Sequence, residues 1–148
     1  MVLLQYHNYL KKFLRVDKSI KLMILEALFL SAIYRFLILH IKFKKLSKNI
    51  GEKNIESSLE GTKEGYLIGR KISMVVNKTL EITPWESKCL VKAVTAKKMM
   101  KKRGYKTTLY LGVGKDEEGV NAHAWLRYGK VYLTGGDGSN HSMVAYFS

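Results

Sequence analysis

The chain has 148 residues, 47% of them apolar, enough for one domain with a buried core. Its 26 Lys and Arg stand against 12 Asp and Glu, a formal net charge of +14, which points to an acidic partner: an acidic peptide, an anionic membrane surface or nucleic acid. A single cysteine excludes an internal disulfide framework and suits a reducing, cytoplasmic compartment, and Met1 to Leu14 lacks the pattern of a signal peptide.

Ser19 to Phe43 is strongly apolar and nearly long enough to span a bilayer core. Glu26 and Arg35 interrupt it on roughly opposite sides of a helix, and His40 closes its far end. Lysines flank it: Lys18 and Lys21 before, Lys42, Lys44, Lys45 and Lys48 after. Three readings stay open: a buried helix, a helix on the inner leaflet with lysines reaching phosphate headgroups, and a true span. Gly51 to Thr62 reads as a polar loop. Lys63 to Leu80 reads as a second helix, with Leu67, Ile68, Ile72, Val75, Val76 and Leu80 near helical spacing. Gly65 and Gly69 weaken that helix unless a second helix approaches closely there.

Thr83-Pro84-Trp85-Glu86 has a capping-box pattern with proline at the first helical position, and Ser87 is a second candidate cap. The helix then carries Cys89, Ala93, Ala96 and Met100 on an apolar stripe and lysines elsewhere, and stops at Gly104. Leu109 to Val113 alternates as a strand. Val120 to Tyr128 alternates again, with Ala122, Ala124 and Leu126 on one face and His123, Trp125 and Arg127 on the other. Gly129-Lys130 is a tight turn into Val131 to Thr134, and Gly135-Gly136-Asp137-Gly138 ends that strand. The pattern is α+β: a helical N-terminal region over residues 1–80, then a core over residues 81–148 in which a cysteine-bearing helix packs on an antiparallel sheet bearing His123 and Asp137.

Cys89, His123 and Asp137 form a candidate nucleophile, base and orienter. A helix N-terminus and an imidazole both favour a thiolate. If Ser87 caps the helix, the Cys89 N–H can face a developing oxyanion; if Thr83 does, Cys89 lies one turn too deep. The turn at Gly129-Lys130 pairs Tyr128 with Val131 and sets His123 opposite Gly136. A bulge at Gly135-Gly136 would bring Asp137 onto the face of His123, where it would fix the imidazole tautomer. Each residue also has a plainer reading: a buried thiol, a structural histidine, a turn aspartate. His141 is a rival base, ranked lower because the C-terminal tail has little pattern to hold it. Trp85, Tyr110 and Trp125 are candidate walls of a substrate groove. His7, His40, His123 and His141 show no zinc spacing, so no metal or other cofactor is expected. No RNA-binding module is visible, which argues against nucleic acid.

Four words of sequence carry a resemblance: Cys89-Leu90-Val91-Lys92-Ala93, Lys102-Arg103-Gly104, Tyr110-Leu111-Gly112-Val113 and Ala122-His123-Ala124-Trp125. With them, the segment around Glu26-Ala27-Leu28 resembles the transglutaminase-like leader peptidases of lasso peptide biosynthesis. The resemblance implies a transglutaminase/papain-like core and a Cys-His-Asp cysteine protease, with Cys89, His123 and Asp137 at the matching positions. It implies removal of a leader from a ribosomally made bacterial precursor, so that a lasso cyclase can close its ring on the new N-terminus. Some relatives carry a fused winged-helix domain that binds the leader. This chain is too short for one, which implies a separate leader-recognition protein. The alternatives are an inactive adaptor that holds precursor and cyclase together, and a basic membrane-binding protein.

Overall fold

The computed structural model describes Lys11 and residues 13–148. His7 and most of the Met1 to Leu14 stretch read for a signal peptide lie outside the described residues. Among the described residues, the named helices that precede or flank one sheet are α1 (Lys18–His40), α2 (Phe43–Ile50), α3 (Lys63–Thr79) and α4 (Cys89–Lys102), with a 3-10 turn at Leu80–Ile82. The strands are β1 (Thr108–Asp116), β2 (Gly119–Tyr128), β3 (Val131–Thr134) and β4 (Ser142–Phe147). They form one antiparallel sheet in the order β3-β2-β1-β4. The fold is α+β.

The helices cover one face of the sheet. Ile72, Val75 and Val76 of α3 and Val91, Val94, Ala96, Met99 and Met100 of α4 are buried with Leu109, Ala124, Leu126 and Leu133 of the sheet. These residues recur at helical spacing in the helices and at period two in the strands, so each element turns its apolar face into one core. That core draws on both sides of residue 80.

Thr62 caps α3, its Oγ1 accepting the Gly65 N–H at 3.0 Å, and Glu64 stands in the first turn. Gly65 faces the sheet, and Gly69 faces both the sheet and Met100 of α4. A Cβ on Gly65 would collide with the Tyr128 phenol, and one on Gly69 would sit 3.1 Å from Leu133 Cδ2. The Tyr128 hydroxyl is itself fixed, accepting the Thr62 N–H at 3.2 Å. Gly65→Ala is therefore expected to destabilise the fold by about 1–3 kcal/mol, because overpacking outweighs the gain in helix propensity of about 1 kcal/mol. Urea denaturation measures it, and a gain in stability would contradict the close approach.

α4 carries a buried cation. Lys97 is only 4% exposed, and its Nζ donates to the carbonyls of Thr107 at 2.6 Å and Phe147 at 3.3 Å, tying α4 to the start of β1 and the end of β4. Burial, with Lys98 and Lys101 nearby, pushes its ammonium down to about 8. Above that pH the unfolded chain, whose lysine keeps its proton longer, binds more protons than the folded one, so rising pH favours folding. Relative to Lys97→Met, the wild type is expected to gain about 2–3 kcal/mol of stability between about pH 7 and about pH 10. Denaturation of both proteins across that range checks the sign.

Candidate active site

α4 begins at Cys89, later than either cap proposed from sequence. The residue before it, Lys88, has extended backbone, and no side chain caps the helix. The first bond of the helix runs from the Lys92 N–H to the Lys88 carbonyl at 3.1 Å. Thr83 is committed elsewhere: its Oγ1 lies 3.0 Å from the Leu80 carbonyl, 2.9 Å from the Trp85 carbonyl and 3.0 Å from Ser87 Oγ. That knot turns Thr83-Pro84-Trp85-Glu86 into a bend before the helix instead of its first turn. Cys89 is thus the first helical residue, half-buried against the core, with its N–H among those that have no partner within the helix.

The bend is pinned to α1. Trp85 Nε1 donates to the buried Ser31 Oγ at 3.2 Å, and Arg35 Nη2 pairs with Glu86 Oε2 at 2.7 Å. Lys88 Nζ lies 2.7 Å from Glu86 Oε1; that bond, with Arg35, holds the Glu86 carboxyl below the usual carboxylate range. At the far end of α4, Glu26 pairs with Arg103 at 2.7 Å and Lys102 at 3.5 Å. The two charges that break the apolar α1 segment therefore grip both ends of the cysteine helix. Sequence reasoning found Glu26 and Arg35 but not this role, since their partners are more than fifty residues distant.

The turn at Gly129, with φ 55°, pairs Tyr128 with Val131 as expected. The irregularity that follows comes earlier than Gly135-Gly136. Arg127 pairs with Tyr132 but Leu126 with Thr134, so Leu133 is the extra residue. Carried on, that register sets His123 level with Asp137 rather than Gly136. The chain leaves the ladder first, however, through Gly135, Gly136 and Gly138, all at positive φ.

The imidazole of His123 finds a different acceptor there. Its Nε2 lies 2.7 Å from the Gly135 carbonyl. A carbonyl only accepts, so in the neutral ring Nε2 carries the proton and Nδ1 is the basic nitrogen. Asp137 is exposed, and its Oδ1 accepts the Ser139 N–H at 3.0 Å. That backbone bond and the Ser139 hydroxyl hold the Asp137 carboxyl below the usual range. The expected Asp137–His123 hydrogen bond is absent among the described residues, and the Gly135 carbonyl does the orienting.

His123 belongs to an aromatic layer on the sheet face turned away from the helices. Its ring is stacked 6.0 Å from Trp125 and lies 4.8 Å from His141. His141 is held more firmly than its sequence suggests. It stands just before β4, which pairs with β1, and its Nε2 lies 2.9 Å from Asn121 Oδ1. Tyr110 and Trp125, expected in a groove wall, are 7% and 5% exposed and stack on each other at 5.6 Å. Buried Arg127 clamps residues 56–58 over them, bonding the Tyr110 hydroxyl, the Ser57 carbonyl and Glu56. Of the three aromatic candidates, only half-buried Trp85 stands beside Cys89 in sequence and keeps accessible surface.

The chain turns back from α4 into β1 within a few residues, with Lys97 bonded to Thr107. The Cys89 end of the helix thus lies toward the end of the sheet where Gly112 pairs with His123. Yet α4 packs on the face of Ala124 and Leu126, while His123 shares the opposite face with Trp125. No hydrogen bond joins Cys89 to His123 among the described residues. The family model described as the transglutaminase-like superfamily matches residues 31–147. No curated protein and no solved structure matches the chain.

Proposed function

Because the chain belongs to the transglutaminase-like superfamily, we propose that it is a cysteine peptidase that removes the leader from a ribosomally made lasso peptide precursor. The observation that carries this is Cys89 as the first residue of α4, where the first-turn backbone N–H groups have no partner within the helix. The thiolate attacks the carbonyl carbon of the last leader residue, forming the C–S bond and moving the π pair onto oxygen. N–H groups at the start of α4 hold that oxyanion. As the C–N bond breaks, protonated His123, which must come round to the Cys89 side of the sheet for this step, gives its proton to the departing amine of the core peptide. Water then adds to the thioester, His123 takes its proton, and the thiolate leaves with the leader acid released.

In this reading a separate winged-helix protein recognises the leader and delivers the precursor, and a lasso cyclase consumes the freed N-terminus. The strongly basic surface suits a leader that is acidic overall. A second reading has its own observation. The separation of Cys89 and His123 across the sheet favours an inactive adaptor that holds precursor and cyclase together. Incubating the cognate precursor with the chain, with and without the recognition protein, separates the two. The peptidase yields leader and core fragments, and faster with the recognition protein present. An adaptor yields none under either condition.

A further inference from the structure

α1 is apolar on the outside. Ala27, Ser31 and Tyr34 are buried against α3 and α4, and Glu26 and Arg35 turn inward to their ion pairs. Facing solvent are Leu22, Leu25, Phe29, Ile33, Phe36 and Leu39, with Phe29 69% and Leu39 60% exposed. Their spacing of three and four residues keeps them on one face, opposite Ala27 and Ser31, as a stripe about 25 Å long. An apolar cleft of about 640 Å³ between α1 and α3 opens beside it, sharing Leu25. The stripe ends in cations on both sides: Lys18 at one end, and exposed Lys42, Lys44, Lys45 and Lys48 around Phe43 at the other. Asp17 and Glu26 are the only acids in the first fifty residues, and Glu26 is already paired.

We propose that this stripe docks on the surface of an anionic lipid bilayer, with α1 lying flat in the headgroup layer. By length and composition α1 is apolar enough to cross a membrane, but crossing would tear out the Glu26–Arg103 and Arg35–Glu86 pairs and the Ser31–Trp85 bond. Lying flat keeps them, buries only the residues already outside, and sets Lys18 and the Lys42–Lys48 cluster at phosphate level. A second copy on the stripe fits poorly, because either orientation of two such helices brings lysines against lysines. The docking does not depend on the peptidase reading, but it has a consequence for it: the helix on the membrane is the one that pins the bend before Cys89.

Co-sedimentation of the full chain with vesicles tests this, using phosphatidylcholine alone and a mixture with about one phosphatidylglycerol in four lipids. The chain is expected to bind the anionic vesicles and to release as salt rises toward about 0.5 M. Phe29→Glu combined with Phe36→Glu is expected to weaken binding about tenfold or more. Lys42→Glu with Lys45→Glu, on exposed side chains that leave the fold intact, is expected to abolish the preference for anionic lipid. Equal binding of both vesicle types by the wild type would overturn the proposal, as would unchanged binding of either variant. So would light scattering that shows a wild-type dimer made monomeric by the phenylalanine changes.

Discussion

Cys89→Ala is expected to cleave the precursor no faster than buffer alone, a loss of about 10⁴-fold or more in kcat. The whole covalent route runs through this sulfur, and with no other cysteine in the chain nothing can replace it. Precursor binding should change little, since alanine keeps the small apolar contact that Cys89 makes with the core. Timed mass spectrometry of the precursor gives the rate, and a shift assay gives the binding. The pairing of lost cleavage with kept binding separates a missing nucleophile from a damaged fold.

His123→Ala carries the second largest effect, a fall of about 10³-fold or more in kcat. Without it, thiolate formation and protonation of the leaving amine both lack their group. Asp137→Ala is expected to cost far less, about tenfold, because the Gly135 carbonyl already fixes the His123 tautomer and Asp137 is spent on the Ser139 N–H. His141→Ala, which removes a ring 4.8 Å from that of His123 but not its acceptor, belongs with Asp137. Cleavage rates of the three variants at saturating precursor decide the order. If His141→Ala proved as damaging as His123→Ala, the base would have been assigned to the wrong histidine.

Much of this was legible in the sequence, and the exceptions have physical causes. α3 was readable because its apolar residues repeat at helical spacing behind Thr62, a side chain free to cap. The β2–β3 turn was readable because Gly129 takes the positive φ that the turn requires. The start of α4 was not. Thr83 looks like a cap in sequence, but its hydroxyl goes to backbone carbonyls and Ser87, and the real boundary residue, Lys88, makes no capping bond. β4 was hidden because Met143 to Phe147 is apolar without alternation, and its pairing with β1 shifts register between Leu111 and Gly112. The glycine run breaks the strand, as its sequence indicates. The register change itself falls at Leu133, a residue with no local mark of it.

α1 taught the opposite lesson. Its apolar sequence reads as a buried helix, a helix on the inner leaflet or a span; in the structure Glu26 and Arg35 face the protein, while the apolar residues divide between the core side (Ile20, Ile24, Ala27) and solvent (Leu22, Phe29, Phe36). Long-range ion pairs mark the inward side, and no local pattern encodes them. Family membership sharpens the point, since the matched region starts within this helix.

The most direct test of Cys89 as a peptidase nucleophile is labelling with a leader peptide that ends in a chloromethyl ketone at the scissile position. A peptidase gives one adduct per chain, mapped to Cys89, formed faster than with a scrambled leader and strongly slowed by His123→Ala. An adduct on a histidine, or labelling at equal rates by true and scrambled leaders, would contradict it.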